Sequence, residues 1–271
     1  MKARMKPYLA IFRQKLLGGL QYRAGFWGTT TTHVVWVYMR VVLVSIFYRY
    51  GRGQAGVTLS QAATMIWLQE MALNLMPGFT ADNTAWEKIS KGDVGYDLVR
   101  PLDVYNHWFV SAFSDKLARF LLAIGPVAVF ALLTPGEIGL CLSPSPLSLL
   151  AGLVTLATGL ILSCTVICLC YAAQMDVNVG DAPARVLMIV AQILAGSLLP
   201  LQLWPDGMQA FLRLQPFAAM MDLPLRFFAG SAALSELPGV LLGQVIWGVL
   251  IWRLGRAWIG LNLRRLVAQG G

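Results

Sequence analysis

An all-α membrane protein is predicted: about six transmembrane helices, an N-terminal amphipathic helix in the interface, a polar cytoplasmic segment, and broken re-entrant helices before the last span. Three observations predict it. Of 271 residues, 57% are hydrophobic and 13% charged, with a mean hydropathy of +0.64. A soluble domain averages about 45–50% apolar and about 25% charged. The apolar residues gather in long runs parted by short loops, at lengths suited to a hydrocarbon core of ~30 Å. Lys and Arg cluster at both termini and beside those runs, as in cytoplasmic loops. The length and loops suit a single helical membrane domain over 1–271.

Residues 1–23 carry Lys2, Arg4, Lys6, Arg13, Lys15 and Arg23, with Tyr8, Phe12, Leu16 and Leu20 recurring at i+4 and Leu9 alongside. That spacing makes a helix whose apolar stripe enters the interface while its basic face meets anionic headgroups, so membrane lipids are expected partners. Arg13 and Lys15 interrupt the apolar residues, and the stretch does not read as a cleavable signal. A first span over about 26–48 holds His33 and Arg40; a loop with Arg49, Arg52 and glycines leads to a second over about 57–76. Residues 86–103 are the one long charge-mixed stretch. A third helix starts near Tyr105 and turns apolar over 117–133, with a kink expected at Pro126. A loop with Pro135, Gly136, Pro144 and Pro146 precedes the fourth span, 147–172; a polar loop over 174–185 precedes the fifth, about 186–199. Over 200–236, Pro200, Pro205, Pro216 and Pro224 cut the chain into pieces too short to cross, which predicts short helices packed on protein. The sixth span, about 237–254, runs into Arg256, Arg264 and Arg265.

With about six spans, both termini and 86–103 fall on one side. That side holds most of the Lys and Arg, so the positive-inside rule makes it the cytoplasm. The net charge of +8 is therefore topological, and no nucleic-acid partner is expected.

The motifs of several enzyme classes are missing. The sequence has no Gly-x-x-x-x-Gly-Lys-Ser/Thr loop, no His-Glu-x-x-His and no Gly-x-Ser-x-Gly. Three of the four cysteines, Cys164, Cys168 and Cys170, lie in one apolar run and read as small hydrophobes, so no metal site is expected. Inside the second span, Glu70 is followed a turn later by Asn74. A charge at bilayer centre costs ~2.5–3.5 kcal/mol on insertion scales, so Glu70 needs a partner. Counted back from the shared turn, Arg40 sits at comparable depth, and an Arg40–Glu70 pair is expected. Asp115 and Arg119, at i and i+4, allow a helical ion pair.

Within the polar stretch, Ile89-Ser-Lys-Gly92-Asp93 followed by Leu98-Val-Arg100-Pro101 resembles the cytoplasmic segment of ABC-2-type transporter permeases, whose phrase is I-x-x-G then L-x-R-P. Gly196-Ser-Leu-Leu-Pro200, Trp204-Pro205 and Gln215-Pro216-Phe217, with Pro224 and Gly230, resemble that group's region after the fifth helix. The resemblance spans nearly the whole chain. It implies the permease subunit of an ATP-driven exporter in the bacterial inner membrane, paired with a second permease and with two cytoplasmic ATPase subunits that bind ATP and Mg. This chain itself would bind no cofactor. Residues 86–103 would be the coupling helix, with Ile89 and Leu98 seated in the ATPase, Gly92 and Pro101 shaping the turn, and Asp93 and Arg100 orienting it. Pro200, Pro205, Pro216, Phe217 and Pro224 would line or cap the exit. A secondary transporter or a non-transporting scaffold subunit is the alternative; the sequence shows no internal repeat and few intramembrane acids to support a carrier.

Overall fold

Where a long helix begins is written in its capping residue. Thr58 accepts from the Gln61 amide while Gln61 reaches back to the Thr58 amide, a capping box that opens α3. Asp103 accepts from the Asn106 amide and opens α6; Ser145, followed by Pro146, opens α7. In the computed structural model, which describes residues 2–21, 23–50, 56–77, 83–143, 145–176 and 181–265, the elements are α1 (Lys2–Gln21), α2 (Arg23–Tyr50), α3 (Leu59–Ala72), α4 (Asn83–Lys91), α5 (Gly95–Leu98), α6 (Val104–Leu133), α7 (Pro146–Gln174), α8 (Ala182–Leu194), α9 (Asp206–Leu214), α10 (Asp222–Phe228) and α11 (Leu237–Arg265), with short 3₁₀ turns between. No strand occurs among the described residues. Gly51, Arg52, Gly53 and Pro144, read above as loop residues, lie outside them.

Three helices among the described residues are long and apolar enough to cross a membrane: α6, α7 and α11 counted with its preceding turn, Leu234–Arg265. α2 has comparable length; among its described side chains it buries Val34, Val37, Val41 and Val44, while Trp36, Met39, Leu43 and Phe47 face outward. The apolar outer side chains over 35–47 suit lipid contact. α8 differs from the expected fifth span, about 186–199: its helix is Ala182–Leu194, because the backbone turns over at Gly196 (φ 82°) before Pro200.

α1 lies along α6. Tyr8, Phe12, Leu16 and Leu20 are all half-buried, and Phe12 meets Phe113 with ring centroids 6.2 Å apart. Leu9 points away from this contact, 67% exposed. Helical phase explains it: one residue beyond Tyr8 is rotated by about 100°.

At the centre stands α3, buried on every side from Ala62 to Ala72. Its end is a polar problem, since the last carbonyls of a helix have no partner within it. Two neighbours solve it. Lys116 of α6, fully buried, donates its ammonium to the Met76 carbonyl at 2.7 Å, and Ser163 of α7 donates to the Leu75 carbonyl. A cation also suits the negative end of the helix dipole.

α7 organises the other half. Gly159 lies directly under the chain at 218–220: a Cβ there would sit 2.7 Å from the Met220 carbonyl oxygen, so only glycine permits the approach. Next to it, Gln244 of α11 donates to the Thr155 and Ala219 carbonyls, both at 2.8 Å, and its own oxygen contacts the Thr158 hydroxyl. One amide thereby joins α7, α11 and the broken segment. Cys164, Cys168 and Cys170 are buried here among apolar side chains.

Candidate functional site

The polar stretch 86–103 folds as a helix, a turn and a second short helix. α4 ends in a Schellman motif: the Asp93 amide donates to the Lys88 carbonyl at 2.8 Å, and the Gly92 amide to the Ile89 carbonyl at 3.2 Å. The motif requires a left-handed residue, which Gly92 supplies at φ 77°. Asp93 thus serves through its backbone, and its carbonyl goes on to accept the Tyr96 amide.

Asp97 holds the segment to the bundle. Only 2% exposed, it accepts from Lys88 Nζ at 2.7 Å and from the indole of Trp108, on α6, at 3.0 Å. Trp108 in turn meets Tyr171 of α7 edge-on, with centroids 5.7 Å apart. From the end of α7, Gln174 donates to Ser90 at 2.8 Å and to the Trp86 carbonyl; Arg185 of α8 lies over the Trp86 ring. Burial alone would push the Asp97 carboxyl up, but the hydrogen bonds from Lys88 and Trp108, with the charges of Lys88 and His107, outweigh it and hold the group below its usual range. Asp97 therefore stabilises the fold at every pH above the ordinary carboxylate value of ~3.9, and that stabilisation disappears as pH falls through the lowered folded value. The gap in unfolding midpoint between wild type and Asp97→Asn should stay constant from neutral pH to about 5 and close below about 4.

With one face fixed, the other is free. Tyr96 (72% exposed), Leu98, Val99 (85% exposed), Arg100 and Pro101 form an outward surface just before α6 begins. Ile89 does not share it: the side chain is half-buried against the protein's own core, because the phase of α4 turns Ile89 and Trp86 inward. Leu98 and Arg100 stand on the outward face, and Ile89 is replaced there by Tyr96 and Val99.

The polar groups of α2 and α3 meet. Arg40 lies 3.4 Å from Glu70, donates to Gln69 Oε1 at 2.7 Å, and donates to the Leu198 carbonyl at 3.1 Å. His33, which sequence reasoning left without a role, is closer to the carboxylate than Arg40, with Nδ1 2.5 Å from the other Glu70 oxygen. Asn74 is buried one turn beyond, in the 3₁₀ turn. Asp115 and Arg119 form their ion pair at 2.9 Å.

Residues 200–236 close over α7. Pro200 and Pro205 each precede a helical turn, Pro216 and Phe217 lead into the turn at 218–220, and Pro224 occupies the first turn of α10, where its missing amide costs nothing. Pro200, Pro216 and Pro224 are buried, Phe217 is half-buried and Pro205 is exposed. The centre of this region is a pair the sequence reading did not single out. Asp222 is 0% exposed and Arg226 2%; the carboxylate takes Arg226 Nε at 2.6 Å and the Leu201 amide at 2.9 Å. The i, i+4 spacing that flagged Asp115 and Arg119 was available here too.

Three helices long and apolar enough to cross a membrane, in an otherwise helical bundle, mark a multi-pass membrane protein. The family model described as ABC-2 family transporter protein matches residues 34–270, and the chain belongs to that family. It is thus the permease subunit of an ABC transporter, a family that works with ATP-binding cassette ATPases. No curated protein matches the chain.

Proposed function

We propose that this chain is the membrane half of an ATP-driven exporter, with 86–103 as the part that a cytoplasmic ATPase grips. In this reading α2, α3, α6, α7, α8 and α11 cross the bacterial inner membrane, both termini face the cytoplasm, and α1 lies along the inner surface among lipid headgroups. A second permease, a copy or a paralogue, completes the pathway. ATP and Mg are held by the partner ATPases. Closure of those subunits would push on 86–103 and tilt the bundle between inward and outward forms, while the pieces at 200–236 cap the exit.

The observation that carries this reading is the two-sidedness of 86–103. Its inner face is tied to three helices by Asp97, Ser90 and Trp86, so force applied to it reaches the bundle. Its outer face presents Tyr96, Leu98 and Val99 to solvent. Apolar and aromatic side chains of this kind anchor protein interfaces, where removing one hot spot costs about 2 kcal/mol or more, roughly thirtyfold in affinity.

The test is co-purification in mild detergent from the native host, followed by an ATPase assay. Wild type should bring down an ATPase, and Tyr96→Asp/Val99→Asp should lose it while keeping the wild-type unfolding midpoint, since neither side chain is buried. Ile89→Asp should instead lower the midpoint. If no ATPase accompanies the wild type under conditions that preserve other membrane complexes, the coupling role is wrong and a carrier or scaffold takes its place.

A further inference from the structure

A groove lies apart from the polar segment, on the side of the bundle where α6, α7 and α11 meet. Its volume is about 390 Å³, within the roughly 300–1,000 Å³ usual for small-ligand pockets. The wall is apolar: Phe109 of α6, Ile161 of α7, and Val245, Val249 and Trp252 of α11. Gly248 forms part of the floor, and a Cβ added there would meet only open space. Polar groups at the deep end are already bonded within the protein. Thr158 meets the Gln244 oxygen, the Gln244 nitrogen donates to the Thr155 and Ala219 carbonyls, and Thr165 donates to the Leu162 carbonyl. An occupant of the groove must therefore be apolar along its length. The mouth differs. Asn106 lines it and accepts from Arg256 at 3.4 Å; Arg256 lies over the Trp252 ring and pairs with Asp103 at 2.8 Å. The two charges balance, yet the side chains are 41% and 38% exposed, so each keeps hydrogen-bonding capacity toward an outside molecule.

We propose that this groove holds one acyl chain of a phospholipid whose headgroup carries both a phosphate and a primary amine. Length supports a chain from a single leaflet. Twelve residues of α11 separate Gln244, at the deep end, from Arg256 at the mouth. That is a rise of ~18 Å, a little over half of a hydrocarbon core of ~30 Å. The headgroup follows from the mouth. A phosphate fits the outward N–H groups of Arg256, and an ammonium beside it fits the open lone pairs of Asp103. The zwitterion thereby sets its two charges against the two of the protein. A glycerol headgroup offers the first contact without the second, and a choline headgroup has no N–H to donate. Gln244 also bonds the Ala219 carbonyl of the broken segment, so a chain seated against it would brace α7 and α11 where they meet 218–220. The inference rests on these three helices crossing the membrane and not on the ATPase reading.

The experiment is native mass spectrometry of the purified full chain in an uncharged detergent, counting the lipids it retains. Dioleoyl phosphatidylethanolamine, phosphatidylcholine and phosphatidylglycerol are titrated separately. One phosphatidylethanolamine should be held about tenfold more tightly than either of the others, the value of one charge-assisted hydrogen bond. Gly248→Leu puts a side chain into the open floor and should weaken that binding about tenfold, the effect of displacing roughly two buried methylene groups. Gly243→Leu, on the same helix with open space at its Cβ but outside the groove, should bind as wild type does. Asp103→Asn keeps a good N-cap for α6 and should erase the advantage of phosphatidylethanolamine while leaving phosphatidylcholine unchanged. Unfolding midpoints check that the three variants fold. Absence of a singly retained lipid overturns the proposal, as does equal retention of the three lipids by wild type. Wild-type binding by Gly248→Leu, or an undiminished preference in Asp103→Asn, overturns it as well. The count is read on the chain alone, so its outcome does not depend on whether an ATPase co-purifies.

Discussion

Asp222→Ala should lower the unfolding midpoint of the purified chain by on the order of 10 °C, the consequence of about 3–5 kcal/mol lost when one partner of a buried ion pair is removed. The reason lies in what remains. Arg226 is 2% exposed, and without Asp222 its guanidinium stays buried with no counter-charge beside it. The Leu201 amide, also buried, loses its acceptor. Asp222→Asn keeps an acceptor for that amide yet still strands the cation, and should cost nearly as much. Asp222→Leu/Arg226→Met removes both charges together and should recover most of the loss, since a pair replaced by apolar groups of similar volume is often close to neutral. Equal midpoints for Asp222→Ala and wild type would show that the pair does not hold the 200–236 region.

Glu70→Leu should cost less, about 3 kcal/mol, near the lower end for a broken buried pair. Arg40 keeps two acceptors, Gln69 and the Leu198 carbonyl, so its charge is not abandoned. Arg40→Leu leaves Glu70 with His33 and should fall in the same range. Combined, the two substitutions should cost clearly less than the sum of their separate effects, because each single variant strands what the other removes. Additive losses in that cycle, measured by detergent-solubilised thermal unfolding, would mean that Arg40 and Glu70 act independently.

The parts of this fold that were legible in the sequence are those decided by composition over long windows. α6, α7 and α11 are written as apolar runs, and α1 as a stripe at i+4. The Arg40–Glu70 contact followed from counting along two arms of a hairpin. What escaped depended on helical phase and on distant partners. Ile89 and Tyr96 are both apolar-faced residues of one polar stretch, and nothing local says which turns inward; Trp86 and the core beside it decide. Asp97 reads as one more solvated acid, and its burial exists only because Trp108 comes around to it from α6. Asp222 and Arg226 sit in a stretch punctuated by prolines, where loop charges are the ordinary expectation. Gly196, twenty-six residues upstream, comes close to Asp222: a Cβ there would sit 3.1 Å from its carboxylate.

The close approach at Gly159 has a mechanical consequence. Between Gly159, pressed against the Met220 carbonyl, and Gln174, bonded to Ser90, α7 runs without a proline or a break. Those fifteen residues make a stiff arm of roughly 22 Å, so a rocking of about 5° about the glycine swings the far end by about 2 Å. The glycine has no side chain to interlock there, which makes it the natural fulcrum. In the proposed cycle, a stroke delivered at one end of α7 would become rotation at the other, with no relay of side-chain rearrangements between them.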